Sequence, residues 1–157
     1  APAVRYSNAE QENLNAPPSG LSVNAIRSFT GRGTLVWGAR TLDGNSADFR
    51  YVSVRRTLIW LEQSIRPGIA PFVFEPNDAS TWIKVRAMIE NFLTNVWRQG
   101  ALMGDRPKDA FFVTCGLGQT MTAQDLLDNI LIVGIGVAPV RPAEFVVLTI
   151  RLEMAPS

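Results

Sequence analysis

Hydrophobic residues along this chain change their spacing several times, and each change marks an element. Two runs, LSVNAIRSF and TLVWGARTL, alternate apolar with polar positions on either side of the turn TGRG, which predicts two strands arranged as a hairpin. The turn residues of DGNSADF return the chain to solvent. From Tyr51 the period becomes helical: Val54, Leu58, Leu61 and Ile65 share one face, and Pro67 with Gly68 is expected to stop the helix. APFVFE reads as a short apolar strand. PNDAS then supplies capping residues for the longest helix. Its stripe of Trp82, Val85, Ile89, Phe92 and Val96 runs at spacings of 3, 4, 3 and 4 to a stop at Gly100. About two heptads predict core packing rather than a coiled coil, so Trp82 and Phe92 are expected in the core.

Beyond the loop ALMGDRPKD, AFFVTCG predicts a strand and LGQTM a turn. Thr122 followed three residues later by Asp125 has the form of a capping box, which opens a short helix through Asp128. Two strands follow, around Leu131 to Val140 and Glu144 to Met154, joined at RPAE. Pro139 lacks a donor inside the first of these, so an edge position or a bulge is expected there. The first 20 residues, polar and rich in Asn, Pro and Ala, read as a loop or connecting arm. Helices and strands alternate in the middle and strands cluster at both ends. The resulting fold class is α/β of the α+β kind, a mixed β-sheet flanked by two main amphipathic helices, with 1–20 as linker and 21–154 as the domain.

The last strand poses a question of pairing. Phe145 and Val147 point away from the face that carries Leu148 and Ile150, so its first half is apolar on both sides, as in a buried strand. From Leu148 onward Leu148, Ile150, Leu152 and Met154 alternate with Thr149, Arg151 and Glu153. The strand either closes its own sheet or is donated along the edge of another molecule's sheet, and an unpaired edge invites the second. Phe145, Val147, Leu148, Ile150 and Leu152 are the candidate inter-subunit residues, with RPAE or the chain beyond Met154 as hinge.

Composition narrows the chemistry. The 157 residues are one domain's worth, enough to bury roughly 70% of the unfolded surface. With 15 basic and 14 acidic residues, the net charge of +1 makes no case for nucleic acid or an anionic membrane as partner. The longest apolar run, between Asn129 and Arg141, is too short and too broken by glycine and proline to cross a bilayer, and no secretory signal opens the chain. The chain has no histidine, which removes Ser-His and Cys-His nucleophiles and histidine metal ligands. The single Cys115 lies in an apolar strand and reads as a buried, inert thiol, consistent with a reducing cytoplasm.

Three features could still carry chemistry. TGRGT and CGLGQT resemble fragments of phosphate loops, but neither completes the spacing and both read as turns. Asp125 with Asp128, and Asp105 with Asp109, could pair carboxylates for acid-base or metal work, against the commoner reading of solvated acids. Arg55, Arg56 and Arg98 lie on helices with large apolar faces, where arginine either anchors an interface or is simply solvated.

NAIRSFTGRGTLVWGARTL, RYVSVRRTL, FEPNDASTWIKVRAMIENFLTNVWRQGAL, GLGQTMTAQD and VRPAEFVVL resemble consecutive blocks of the C-terminal domain of contractile tail sheath proteins, the family of contractile phage tails, R-type pyocins and related injection particles. The resemblance runs from about Asn8 to Arg151 and implies a structural, non-enzymatic subunit without cofactors. It implies sixfold rings of copies stacked around an inner tube, tied by donated strands, with baseplate and terminator or cap proteins as further partners and neither nucleic acid nor membrane insertion. It further implies assembly in the bacterial cytoplasm into a virion tail or a released or cell-anchored particle, an N-terminal arm and outer domains upstream, and a tube-facing helix carrying Thr122, Gln124, Asp125 and Asp128. Gly134 departs from the family, whose members commonly carry an acid there. The competing readings are a baseplate or cap protein with the same fold, and a small nucleotide-binding or carboxylate-dependent enzyme.

Overall fold

The computed structural model describes residues 2–44, 46–140 and 146–153. The chain divides into two compact units, 1–56 and 57–157.

The first unit opens with a helix, α1 (Asn8–Asn15), inside the segment expected to be a loop. It lacks apolar periodicity, and its one buried residue is Gln11. What starts it is a capping box, in which the Ser7 hydroxyl accepts from the Glu10 amide while the Glu10 carboxylate accepts from the Ser7 amide at 2.7 Å. These hydrogen bonds from Ser7 hold the Glu10 carboxyl below its ordinary pKa. The expected hairpin follows: β1 (Ala25–Phe29) pairs antiparallel with β2 (Gly33–Trp37) through a turn in which the Arg32 amide donates to the Phe29 carbonyl. Gly31 and Gly33 at φ 75° and 76° supply the left-handed backbone it needs. Arg27 fastens the hairpin to the chain before α1, donating to the Tyr6 carbonyl at 2.8 Å.

The division between the units falls inside α2 (Val52–Ile69). Its apolar stripe is as expected: Val54, Leu58, Leu61 and Ile65 are buried, and Ile69 extends the row. Pro67 does not stop this helix but sits exposed in its last turn. A single lost hydrogen bond on the solvent side is outweighed by burying Ile69 two residues on. APFVFE is likewise not a strand but a 3-10 helix, Ala70–Phe74, with no buried residue. Pro71 has no amide to give a ladder, and the helical path simply tightens.

That change decides the topology. With no strand between α2 and α3 (Ala79–Arg98), the expected alternation of strands and long helices is lost, and the sheet expected to be mixed is antiparallel throughout. Strands β3 (Phe111–Thr114), β4 (Ile130–Val137) and β5 (Val146–Glu153) form it in the order β3-β4-β5. The α+β class itself stands. A one-turn helix, α4 (Pro107–Ala110), leads into β3 from the segment read as loop, and α5 (Ala123–Leu127) separates β3 from β4. Pro139 lies beyond the end of β4, bridged to Leu102, so the predicted strand was too long and no bulge is needed.

The core of this unit joins Leu58, Leu61 and Ile65 of α2 with Val85, Ile89, Leu93 and Val96 of α3 and with Phe111, Val113, Leu131, Val133, Ile135 and Val137 of the sheet. Trp82 and Phe92 are only half-buried. A row stepping by four from Val85 through Ile89 meets Leu93 next, so Leu93 takes the core position and Phe92 turns to the rim, its ring 5.9 Å from that of Trp60. Trp82 stays at the rim because its indole N–H needs an acceptor and finds Asn77 Oδ1 at 2.7 Å. The Asn77 amide in turn donates to the Ile130 carbonyl at 3.1 Å, which pins the entry of α3 to the start of β4.

Candidate functional site

Two surfaces of the second unit carry the residues singled out in the sequence. The first is the edge strand of the sheet. In the chain by itself β5 lies antiparallel to β4, in register Val147 opposite Gly136, Leu148 opposite Ile135, Ile150 opposite Val133 and Leu152 opposite Leu131. Phe145 and RPAE lie outside the described residues. Because β5 ends the order β3-β4-β5, only one side of its backbone meets a strand among the described residues. Central β4 is buried along nearly its whole length, as a strand covered on both faces must be. Gly134 faces Thr114, whose hydroxyl donates to the Gly134 carbonyl at 3.3 Å. A Cβ at this position would come 2.6 Å from that hydroxyl, so an acid there requires Thr114 to move.

The second surface is α5. Its capping box forms as predicted: Thr122 is the N-cap, its hydroxyl accepts from the Asp125 amide, and Asp125 Oδ2 accepts from the Thr122 amide at 2.8 Å. Thr122, Gln124 and Asp128 are exposed, and the Gln124 amide donates to Asp128 Oδ1 at 3.1 Å. The helix thus brings all four predicted residues together but gives them unequal freedom, since Asp125 is engaged in the cap. Leu127, which sequence reasoning passed over, is an apolar side chain of this helix left 77% exposed. It stands off the apolar period of a five-residue element, too short for periodicity to speak.

The other candidates have local explanations. In CGLGQT the amides that a phosphate would require turn inward: those of Gln119, Thr120 and Met121 all donate to the Gly116 carbonyl. The Thr120 hydroxyl donates to the Ile132 carbonyl at 2.6 Å, so the segment is a packed turn. Asp105 precedes α4 rather than sharing it with Asp109, and Asp109 pairs with Arg106 at 3.0 Å. Cys115 is buried, and desolvation, opposed by the charge of Arg86, pushes its thiol from an ordinary 9.0 up to about 11. Two results follow. Thiol reagents at pH 8 should label the folded chain far more slowly than the denatured chain, which is measured by mass. Below pH 9 this group costs the fold nothing; between the unfolded value and 11 only the unfolded chain ionises, so stability should fall as pH rises through that window.

Comparison with known proteins identifies the family. Residues 45–153 match the phage tail sheath C-terminal domain family. The tail sheath protein of Vibrio phage KVP40 is 26% identical over 129 residues, 82% of this chain and 18% of that protein. Among solved structures, a chain of the anti-feeding prophage baseplate, sixfold symmetrised, is 42% identical with a TM-score of 0.79 over 93% of this chain and 39% of that one. A chain of the PVC sheath complex, an extracellular contractile injection system in its contracted state, is 42% identical with a TM-score of 0.78 over 94% and 41%. The sheath tail protein of Desulfitobacterium hafniense, 17% identical with a TM-score of 0.70 over 96% and 33%, shares the fold. The chain therefore spans about two fifths of the length of its solved relatives at 42% identity, and less of the phage protein. With the family match running from the loop before α2 to the end of β5, the chain belongs to the phage tail sheath C-terminal domain family.

Proposed function

We propose that this chain is the inner domain of a sheath subunit that polymerises around a tube and contracts to drive the tube through a target envelope. The observation that carries the reading is its 42% identity, over 94% of its length, to a chain of a contracted sheath complex. The work is mechanical: two lattice arrangements of one domain differ in packing, and the extended one stores the difference. The domain catalyses no reaction. Assembly takes place in the bacterial cytoplasm, as sixfold rings of copies, with baseplate and cap proteins at the ends. Residues 1–20, α1 included, form the arm toward the outer domains, and 21–154 form the domain proper.

In this reading Val147, Leu148, Ile150 and Leu152, with Phe145 before them, tie neighbouring subunits. The ladder that β5 makes with β4 in one chain can be made equally by the β5 of another copy, as in exchange of an identical element. Backbone bonds tolerate a rigid-body swing better than a packed side-chain interface. Thr122, Gln124, Asp125 and Asp128 face the tube, where exposed carboxylate meets basic residues. Because Asp125 is engaged in the cap, Gln124→Lys with Asp128→Lys is the cleaner test. Particles of this variant should lose tube occupancy while the subunit melts as the parent does; unchanged occupancy removes α5 from the tube face.

The function itself is tested by negative-stain microscopy of the full-length protein, with hollow striated cylinders expected and isolated particles counting against it. A second reading has one kind of observation in its favour, since two similar chains come from baseplate structures. A baseplate or cap role would appear as a few copies per particle at one end.

A further inference from the structure

The charges of the two units are unbalanced in opposite senses. Residues 1–56 hold seven arginines and four carboxylates, and 57–157 hold eight basic and ten acidic residues. All four ion pairs among the described residues lie in the second unit. In the first, three arginines lie over two aromatic rings instead, those of Phe49 and Tyr51. The guanidinium carbons of Arg40 and Arg50 lie 5.8 and 6.0 Å from the centre of the Tyr51 ring, and that of Arg55 lies 4.9 Å from the centre of Phe49. Asp43 and Asp48 belong to the same loop, yet neither forms an ion pair among the described residues.

The hydrogen bonds of this cluster leave much of it unspent. Arg40 uses Nη1, donating to the Asn15 and Gly44 carbonyls, and Arg50 uses Nε, donating to the Ser46 carbonyl at 2.8 Å. The rest of both forks, and the whole fork of the exposed Arg55, have no acceptor among the described residues. A guanidinium held over a ring by cation–π attraction does not use its N–H donors there, and a carboxylate can take two of them. With no carboxylate of this loop in ion-pair contact with them among the described residues, the three guanidinium groups favour an arriving anion.

We propose that Arg40, Arg50 and Arg55 receive a carboxylate surface of a second copy of this chain. The inference rests on the sheath reading, in which a surface of one copy must meet a different surface of the next. The opposite charge imbalance of 57–157 supplies the complement. There Asp105 is the first candidate, exposed and with neither an ion pair nor a side-chain hydrogen bond among the described residues. Arg40 also holds the fold through Asn15, so Arg50 and Arg55 carry the test.

The experiment follows self-association of the full-length subunit by sedimentation at several salt concentrations, beside the melting midpoint of the dilute subunit. Arg50→Gln with Arg55→Gln should keep the midpoint, raise the assembling concentration by roughly tenfold or more, and flatten its salt dependence. Should the pair disturb folding through the lost Ser46 bond, Arg55→Gln alone gives the reading, because no hydrogen bond within the described residues depends on that side chain. Arg55→Asp should weaken association further and Asp105→Arg in the same chain should restore it. Parental association in the Gln variants overturns the proposal. A lowered midpoint in Arg55→Gln also overturns it, by making the cluster an internal contact. Associating protein that forms no cylinders, yet loses association in the Gln variants, upholds the cluster while overturning the sheath; a parent that stays monomeric at every concentration overturns both.

Discussion

Leu93→Ala is expected to destabilise the domain by about 2–5 kcal/mol, and Phe92→Ala by clearly less, about 1–2 kcal/mol. Leu93 is fully buried on α3 in line with Val85 and Ile89, so its truncation leaves a cavity that the α3–β3 packing cannot close without moving a strand. Phe92 keeps one side in solvent and loses mainly its contact with the Trp60 ring. Denaturant unfolding of the two variants checks the order, read from the midpoint at unchanged slope. Equal losses would mean that the rim pair of Trp60 and Phe92 is covered by something in solution, as an interface between copies would do.

Ile150→Pro is expected to abolish cylinders while leaving a folded, soluble subunit. Proline at this point removes a donor at the middle of β5, opposite Val133, and fixes the backbone away from the extended ladder. This outcome requires that the helices and the β3–β4 pair hold without it, whereas a lattice tied by this strand loses its joint in every subunit at once. Microscopy of assembled material and thermal melting of dilute subunit separate the outcomes. A subunit that unfolds with the substitution uses β5 within its own chain. Normal cylinders with a normal melt would mean that the tie between rings lies elsewhere.

Much of the local structure was legible in the chain because the decisive interactions span a few residues. The stripe of Val54, Leu58, Leu61 and Ile65, the hairpin turn at Gly31 to Gly33 and the capping box of Thr122 with Asp125 depend on periodicity, on φ and on a reach of three residues. The same capping signal stood at Ser7 and Glu10 and went unread, because α1 has no apolar face to accompany it. Its neighbours fix it in place: Arg27 secures the chain before it, and Gln11 donates to Asn15 and the Trp37 carbonyl.

Of the candidate sites, α5 could be located from sequence, but the unequal freedom of its two acids could not, since engagement in a cap is a matter of rotamer and distance. The arginine cluster was out of reach altogether. Arg40, Arg50 and Arg55 are separated by turns whose path decides which ring each one meets. The sequence by itself determined α2, α3 and α5, the hairpin, the α+β class and the family, since short-range periodicity and ordered blocks of residues carry that information. Only the tertiary structure decided that APFVF winds on as helix, that Leu93 rather than Phe92 enters the core, and that the sheet is antiparallel with β5 at its edge. Those outcomes turn on which buried surface and which backbone partners a segment finds far along the chain, and burial of Ile69 or pairing with β4 outweighs the modest local preferences of proline and of a short apolar run.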